Sequence, residues 1–128
     1  MSENSRTYTG SCLCGGVRYT ATGPISDVVA CHCVQCQKTS GFHVAATRMP
    51  AAQLQLEKSD SLKWFRSSER AERGFCAACG GNLFWREVGG ESISVMAGTL
   101  DQPTGLRLVE NIYTDFAGDY YPLPKVIR

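Results

Sequence analysis

The sequence predicts a mostly-β fold in a single domain. Short runs that alternate apolar and polar residues, such as residues 17–22 and 54–57, are separated by glycine, proline and serine turns. No segment carries the 3.6-residue apolar period of a long amphipathic helix, and no linker divides the chain. The 128 residues suit one modest core, placed here within residues 8–125, and residues 1–7 are predicted to be a flexible lead-in.

Each predicted strand is bounded by turn-forming residues. Gly23-Pro24, Pro50 and Gly89-Gly90 end three of them, because these residues favour turns over ladder positions. A brief helical turn is predicted at residues 37–41, ending on a glycine. The tail, residues 111–128, is rich in aromatics and proline and is expected to wrap the body. The predicted strands are residues 17–22, 27–30, 42–49, 54–57, 62–67, 82–86 and 92–98.

Charge and hydropathy exclude two classes of partner. The formal net charge is +1, and lysines and arginines are scattered singly with no basic run interleaved with aromatic residues, so nucleic-acid binding is not predicted. No block of like charge indicates a membrane surface, and the apolar runs are too short to span a bilayer. The polar N-terminus lacks the apolar core of a signal peptide, so we expect a cytoplasmic protein.

The seven cysteines are the main chemical feature of the sequence. Structural disulfides are rare in a reducing compartment and an odd number cannot pair completely, so clustered thiols indicate metal ligands. Cysteines that act only as small buried hydrophobes would have no reason to cluster at ligand spacing. They form three groups: Cys12/Cys14, Cys31/Cys33/Cys36 and Cys76/Cys79.

The first and third groups share a glycine pair. Gly15-Gly16 follows one group and Gly80-Gly81 follows the other, and glycine lets the backbone turn with positive φ around a metal. Together the two groups close an all-cysteine tetrahedron, the arrangement typical of structural zinc. Such a metal would fasten distant parts of a small β core. The predicted ligands are Cys12, Cys14, Cys76 and Cys79.

The middle group, Cys31, Cys33 and Cys36, is one ligand short of a tetrahedron. A zinc site with an open fourth position is typical of a reactive metal, so two Zn²⁺ per chain are predicted. His32 would close the site, although a residue between two ligands in extended backbone should point away from the metal. A competing partition joins the first two cysteines of this group to the third group and leaves the first group without partners.

Polar residues beside the middle group are further candidates. A histidine there could move the proton of a thiol reaction, with His32 the first choice and His43 the second. Hydroxyl and ammonium groups just past the cysteines could hold a substrate carboxylate, or they form only a solvated turn. These are Lys38, Thr39 and Ser40, with the peptide N–H groups around Gly41.

The cysteine pattern and its surroundings resemble the glutathione-dependent formaldehyde-activating (GFA) family, which includes centromere protein V. The matching positions are residues 10–19, Cys31-His32-Cys33 with Cys36 and Ser40-Gly41, Phe75-Cys76, Cys79-Gly80, Leu83-Phe84, Asn111-Ile112-Tyr113 and Leu123-Pro124. The resemblance implies a β-tent fold of small antiparallel sheets with two zinc sites. It assigns structural zinc to the four-cysteine set and catalytic zinc to the three-cysteine set.

The resemblance also implies an activity. It predicts a carbon–sulfur lyase-type enzyme acting on a small carbonyl adduct of a glutathione-like thiol, as in S-(hydroxymethyl)glutathione formation. Tyr120-Tyr121 and His43 depart from the family pattern, which commonly has a tryptophan followed by an aromatic residue and a small residue there. Two other functions remain open: a non-catalytic zinc-binding module for a protein partner, and a thiol redox or metal-buffering protein. A homo-oligomer is also left open.

Overall fold

A computed structural model describes residues 6–127. Within this part of the chain, ten strands and one short helix form the body of the fold. The strands are β1 (Thr7–Ser11), β2 (Arg18–Thr22), β3 (Val28–Cys31), β4 (Val44–Pro50), β5 (Leu54–Lys58), β6 (Leu62–Arg66), β7 (Ala71–Cys76), β8 (Asn82–Glu87), β9 (Ser92–Met96) and β10 (Leu108–Ile112). The helix α1 covers Val34–Ser40, and 3-10 helices of three residues lie at Ala51–Gln53, Ala97–Thr99 and Thr114–Phe116.

The prediction of a mostly-β fold is confirmed. A three-stranded antiparallel sheet has the order β1-β2-β5, and a seven-stranded sheet has the order β10-β3-β4-β9-β8-β7-β6. The second sheet is larger than expected and is not purely antiparallel, because β10 pairs with β3 in parallel. A parallel pair needs a long connection, and strands β4 to β9 supply it.

The first strand begins one residue before the predicted start of the domain. β1 begins at Thr7, where the sequence predicted a flexible lead-in. Thr7 and Tyr8 are good strand formers, and they pair with Thr22 and Ala21 of β2. Residues 1–5 of the predicted lead-in lie outside the described residues.

One face of the seven-stranded sheet, called here the core face, packs against the three-stranded sheet. Tyr19 of β2 meets Phe84 of β8 edge-on, with ring centroids 5.5 Å apart, and Trp64 of β6 stacks on the same Phe84 ring. Side chains that are almost fully buried fill the space between the sheets. Among the residues of this core are Cys12, Val17, Ala21, Met49, Cys76, Leu83, Ile93, Val95 and Leu100.

The opposite face of the same sheet, called here the cavity face, is defined by cross-strand partners. Cys31 pairs with Val44, and Val29 pairs with Ala46, which in turn pairs with Met96. A second row crosses four strands in the order Arg48, Ser94, Trp85 and Arg73. Because directly opposed residues share a face, the sheet presents apolar and charged side chains together on this side.

The helix α1 begins three residues before the predicted turn. Cys33 is its N-cap, and the Cys33 Sγ accepts the backbone N–H of Cys36 at 3.3 Å. The helix ends at Gly41, whose φ of 83° is the left-handed conformation that glycine tolerates. In the described part of the chain, no helix has the length and apolar character needed to cross a bilayer.

Candidate functional site

The structure brings the first and third cysteine groups together. Cys12 and Cys14 follow β1, Cys76 ends β7, and Cys79 lies in the next turn. The Sγ atoms of Cys12 and Cys14 are 3.7 Å apart, and those of Cys14 and Cys76 are 3.6 Å apart. A tetrahedron with Zn–S bonds of about 2.3 Å has sulfur–sulfur edges of about 3.8 Å. The four thiols therefore fit a zinc ion with every position filled by protein.

The two glycine turns at this site have nearly the same conformation. Gly15 has a φ of 78° and Gly80 a φ of 79°, and each donates its N–H to the carbonyl of the group's first cysteine. Backbone N–H groups also point at the sulfurs: Gly16 N lies 3.4 Å from Cys14 Sγ, and Cys79 N lies 3.3 Å from Cys76 Sγ. Such donors stabilise thiolates, which are the form that binds metal.

The middle group lies on the other face of the seven-stranded sheet. Cys31 ends β3, Cys33 caps α1 and Cys36 lies in its first turn. Their three Sγ atoms are within 4.8 Å of one another, and no fourth His, Cys, Asp or Glu of residues 6–127 joins this group. The cluster can hold a metal ion with one coordination position not supplied by the chain.

The protonation of this cluster favours a bound cation. The thiol of Cys36 donates to Cys31 and lowers the pKa of Cys31 to about 6, with a smaller contribution from the charge of Arg73. The same hydrogen bond, together with burial, raises the pKa of Cys36. A thiolate at Cys31 would favour a bound cation, because cysteine binds metal in its thiolate form.

All three cysteines of the middle group line a cavity of about 800 Å³ on the cavity face. This volume is large enough for a small organic ligand. The wall is apolar at Val29, Ala46, Met96 and Trp85. The exposed charges at the cavity are Arg48, Glu87 and Glu110, and the 3-10 segment with Phe116 and the neighbouring Tyr113 borders the opening.

Arg73 of β7 brings a buried positive charge to the same cluster. Only 5% of this residue is exposed. Its Nη2 donates to Gln35 Oε1 at 3.3 Å and lies 3.9 Å from Cys36 Sγ, while its Nε–H is buried without an acceptor among residues 6–127. No carboxylate within that range forms an ion pair with it. The three thiols are therefore the nearest source of compensating negative charge.

His32 is fully buried and both of its ring nitrogens are engaged. Nδ1 lies 2.7 Å from the hydroxyl of Tyr121, and Nε2 lies 2.8 Å from Asn111 Oδ1. Because Asn111 Nδ2 donates to Pro124 O, its amide presents oxygen to the ring, which assigns the proton to Nε2. The structure does not place His32 among the grouped thiols, and its catalytic role stays a prediction.

The other polar candidates lie away from the cavity wall. His43 packs between Phe42 and His32, with ring centroids 4.2 and 5.0 Å away, and burial lowers its pKa, with a smaller contribution from the neighbouring His32. The hydroxyls of Thr39 and Ser40 donate to carbonyls of α1 itself, and Lys38 is exposed beside them. Because the hydrogen of each hydroxyl is donated to a helix carbonyl, neither hydroxyl has a free donor for a substrate carboxylate. The prediction of a carboxylate site there is not supported.

The hydrogen bonds of His32 carry a measurable prediction. Asn111→Ala should lower the free energy of unfolding by about 1–3 kcal/mol, because the buried His32 Nε2–H would lose its acceptor. Tyr120→Phe is the matched control, since the one partner of the Tyr120 hydroxyl among residues 6–127 is the exposed Gly41 carbonyl, and it should change stability by less than about 0.5 kcal/mol. Urea unfolding measures both variants. Equal stabilities would contradict the role given to Asn111.

Sequence reasoning missed the residues that reach the cavity from distant strands. Arg73, Trp85 and Arg48 carry no motif, and their convergence depends on strand register. One signal could have found Arg73: it is a charged residue inside the strand that leads into the ligand pair Cys76/Cys79. Arginine is seldom buried without a partner, so an arginine inside a strand with buried neighbours indicates a functional position.

Three comparisons with known proteins bear on this site. A family model described as "Glutathione-dependent formaldehyde-activating enzyme" matches residues 7–116. A Schizosaccharomyces pombe protein named as an uncharacterized lyase is 26% identical over 88 residues, which cover 66% of this chain and 61% of that protein. A Rhodobacter sphaeroides protein solved by crystallography matches with a TM-score of 0.65 at 20% identity, over 80% of this chain and 98% of that one. The last match shows a shared fold.

Proposed function

The chain belongs to the glutathione-dependent formaldehyde-activating (GFA) family, and on that basis we propose that the three-cysteine site catalyses formation and cleavage of a carbon–sulfur bond. The substrate is the adduct of a glutathione-like thiol with a small carbonyl compound, such as S-(hydroxymethyl)glutathione. One observation carries the proposal: three thiols, grouped with one metal position unfilled by protein, line a cavity of about 800 Å³.

Two Zn²⁺ per chain are part of the proposal. Zinc held by Cys31, Cys33 and Cys36 would supply a Lewis acid that keeps a substrate sulfur deprotonated at neutral pH. Three thiolates outweigh the charge of Zn²⁺, so the site suits exchange of thiolates better than activation of water. The four-cysteine site would hold the second, structural zinc.

The cavity residues bind and orient the substrate. Val29, Ala46, Met96 and Trp85 give an apolar wall against which the carbon atoms of the substrate can pack. Charged side chains at its exposed edge, Arg48, Glu87 and Glu110, match the mixed charges of a γ-glutamyl peptide, which carries carboxylates and an ammonium group. Because both nitrogens of His32 are engaged, we assign the proton exchange to solvent in the cavity and give His32 a positioning role.

The test follows exchange of ¹³C-formaldehyde with its glutathione adduct by two-dimensional NMR exchange spectroscopy. Zinc-loaded protein should accelerate exchange by about 10²-fold or more over the protein-free mixture, the scale of one well-placed electrostatic contribution. Cys33→Ser is the control, because serine can still cap α1 while one zinc ligand is lost. It should retain one zinc and lose the acceleration.

Two other outcomes would replace the proposal. A protein that holds two zinc ions and accelerates no thiol adduct would be better described as a zinc-binding module. A protein that binds no metal at the middle group but oxidises Cys31 and Cys36 reversibly would be a thiol redox or metal-buffering protein. Metal analysis combined with thiol counting separates the two.

A further inference from the structure

Arg73 is a buried cation with an unused donor beside the candidate reactive site. Arg73 is 5% exposed, its Nη2 donates a hydrogen bond to Gln35 Oε1, and its Nε–H has no acceptor among residues 6–127. A buried donor without a partner destabilises the folded protein, so a position that retains one calls for an explanation. The side chain also lines the cavity, where a ligand could supply the acceptor.

The position of the guanidinium restricts which ligand atom can reach it. Arg73 Nη2 lies 3.9 Å from Cys36 Sγ, so the guanidinium lies directly beside one sulfur of the cluster. In a thiol adduct of a carbonyl compound, the former carbonyl oxygen is two bonds from the substrate sulfur. A carboxylate of a peptide thiol is several bonds further along the molecule. The adduct oxygen is therefore the acceptor that fits a donor so close to the cluster.

We infer that Arg73 is a catalytic residue that binds the adduct oxygen and stabilises its negative charge during carbon–sulfur bond formation and cleavage. This inference rests on the proposed function. As the sulfur–carbon bond forms, the carbonyl π pair moves onto oxygen, and the guanidinium donates to that oxygen while keeping its own proton. The thiol proton passes to solvent, and a solvent proton completes the hydroxyl. Cleavage reverses each step.

Two structural features suit Arg73 to this task. Gln35 Oε1 holds one edge of the guanidinium, so the planar group is oriented before a ligand arrives. The second feature is the neighbouring Trp85, its cross-strand partner, which shields the site on the same face. A donor whose orientation is fixed before the ligand binds contributes more than the same donor in bulk water.

The test uses protein loaded with Co²⁺, whose absorption spectrum reports thiol binding without turnover. Ethanethiol and 2-mercaptoethanol are titrated as probes, because only the second carries an oxygen near its sulfur. The wild-type protein should bind 2-mercaptoethanol about tenfold more tightly than ethanethiol, after correction for the ratio of the two affinities in Arg73→Met. The Arg73→Met variant should lack this added preference. Adduct exchange should fall about 10²-fold in Arg73→Met.

Matched variants separate this role from a structural one. Arg86→Met removes the same charge from the other face of the sheet and should leave the preference unchanged. Arg73→Lys keeps the buried charge but replaces the planar fork by one ammonium, so its preference should be intermediate. This variant also decides the question if Arg73→Met does not fold. A lysine variant with the full wild-type preference would overturn the assignment.

A third probe, 3-mercaptopropionate, tests for a carboxylate anchor. If Arg73→Met weakens only this thiol, Arg73 binds a substrate carboxylate and the inference is wrong. Equal preferences in wild type and Arg73→Met overturn the inference and leave the proposed function standing. If no thiol alters the absorption spectrum of the cobalt-loaded wild type, both the proposed function and the inference about Arg73 are wrong.

Discussion

Cys14→Ser should leave the chain largely unfolded at 25 °C, whereas Cys33→Ser should leave it folded with one zinc ion. Structural zinc sites contribute about 10–16 kcal/mol in small zinc-binding peptides, which equals or exceeds the total stability of a typical domain. The four-cysteine site joins segments 62 residues apart at the base of the core. The three-cysteine site ties only β3 to the helix that follows it.

The choice of these two cysteines isolates the effect of the metal. Cys14 is exposed, so its replacement removes a ligand without opening a cavity in the core, unlike replacement of the fully buried Cys76. Cys33 is half-buried, and a serine there preserves the cap of α1. Circular dichroism and zinc analysis check both variants. Two folded variants, or two unfolded ones, would reject the division into structural and reactive sites.

Phe84→Ala should lower the free energy of unfolding by about 3–5 kcal/mol. The ring is fully buried and contacts Tyr19 of the three-stranded sheet and Trp64 of its own sheet, so its loss removes contacts between and within the sheets. Zinc binding by the three-cysteine site should persist because that site lies on the opposite face of the sheet. Guanidinium unfolding at saturating zinc measures the change.

Phe65→Ala is the control for this substitution. Phe65 lies on β6, two strands away from β8 in the same sheet, and is 61% exposed, so removing its ring should cost less than about 1 kcal/mol. If Phe84→Ala were no more destabilising than Phe65→Ala, the packing between the two sheets would not be a main source of stability.

The features that sequence could predict are local ones. Glycine pairs next to cysteine pairs gave the grouping of thiols into four and three, and the structure brings the same sets together. Alternating apolar and polar residues, with turn-forming residues between them, predicted the mostly-β class and most strand positions. Helix α1 began earlier than predicted because a cysteine, rather than a serine or aspartate, serves as its N-cap.

The features that sequence could not predict depend on long-range register. Arg73 meets Cys36 across 37 residues, and His32 meets Tyr121 across 89 residues. Such contacts are decided by which face each strand presents and by how the tail packs, neither of which local propensity specifies. The parallel pairing of β10 with β3 is of the same kind, because nothing in either segment encodes its partner.

The matching glycine turns around the four cysteines also have a topological consequence. A metal held by Cys14 and Cys76 would be a reversible crosslink, and the segment it closes contains β2 to β7 and the entire three-cysteine cluster. Cutting the backbone at the exposed turn near Asp60 would therefore produce two pieces that stay joined through one ion. Whether the piece with the three-cysteine cluster stays joined to the other piece would then depend on the availability of the metal ion.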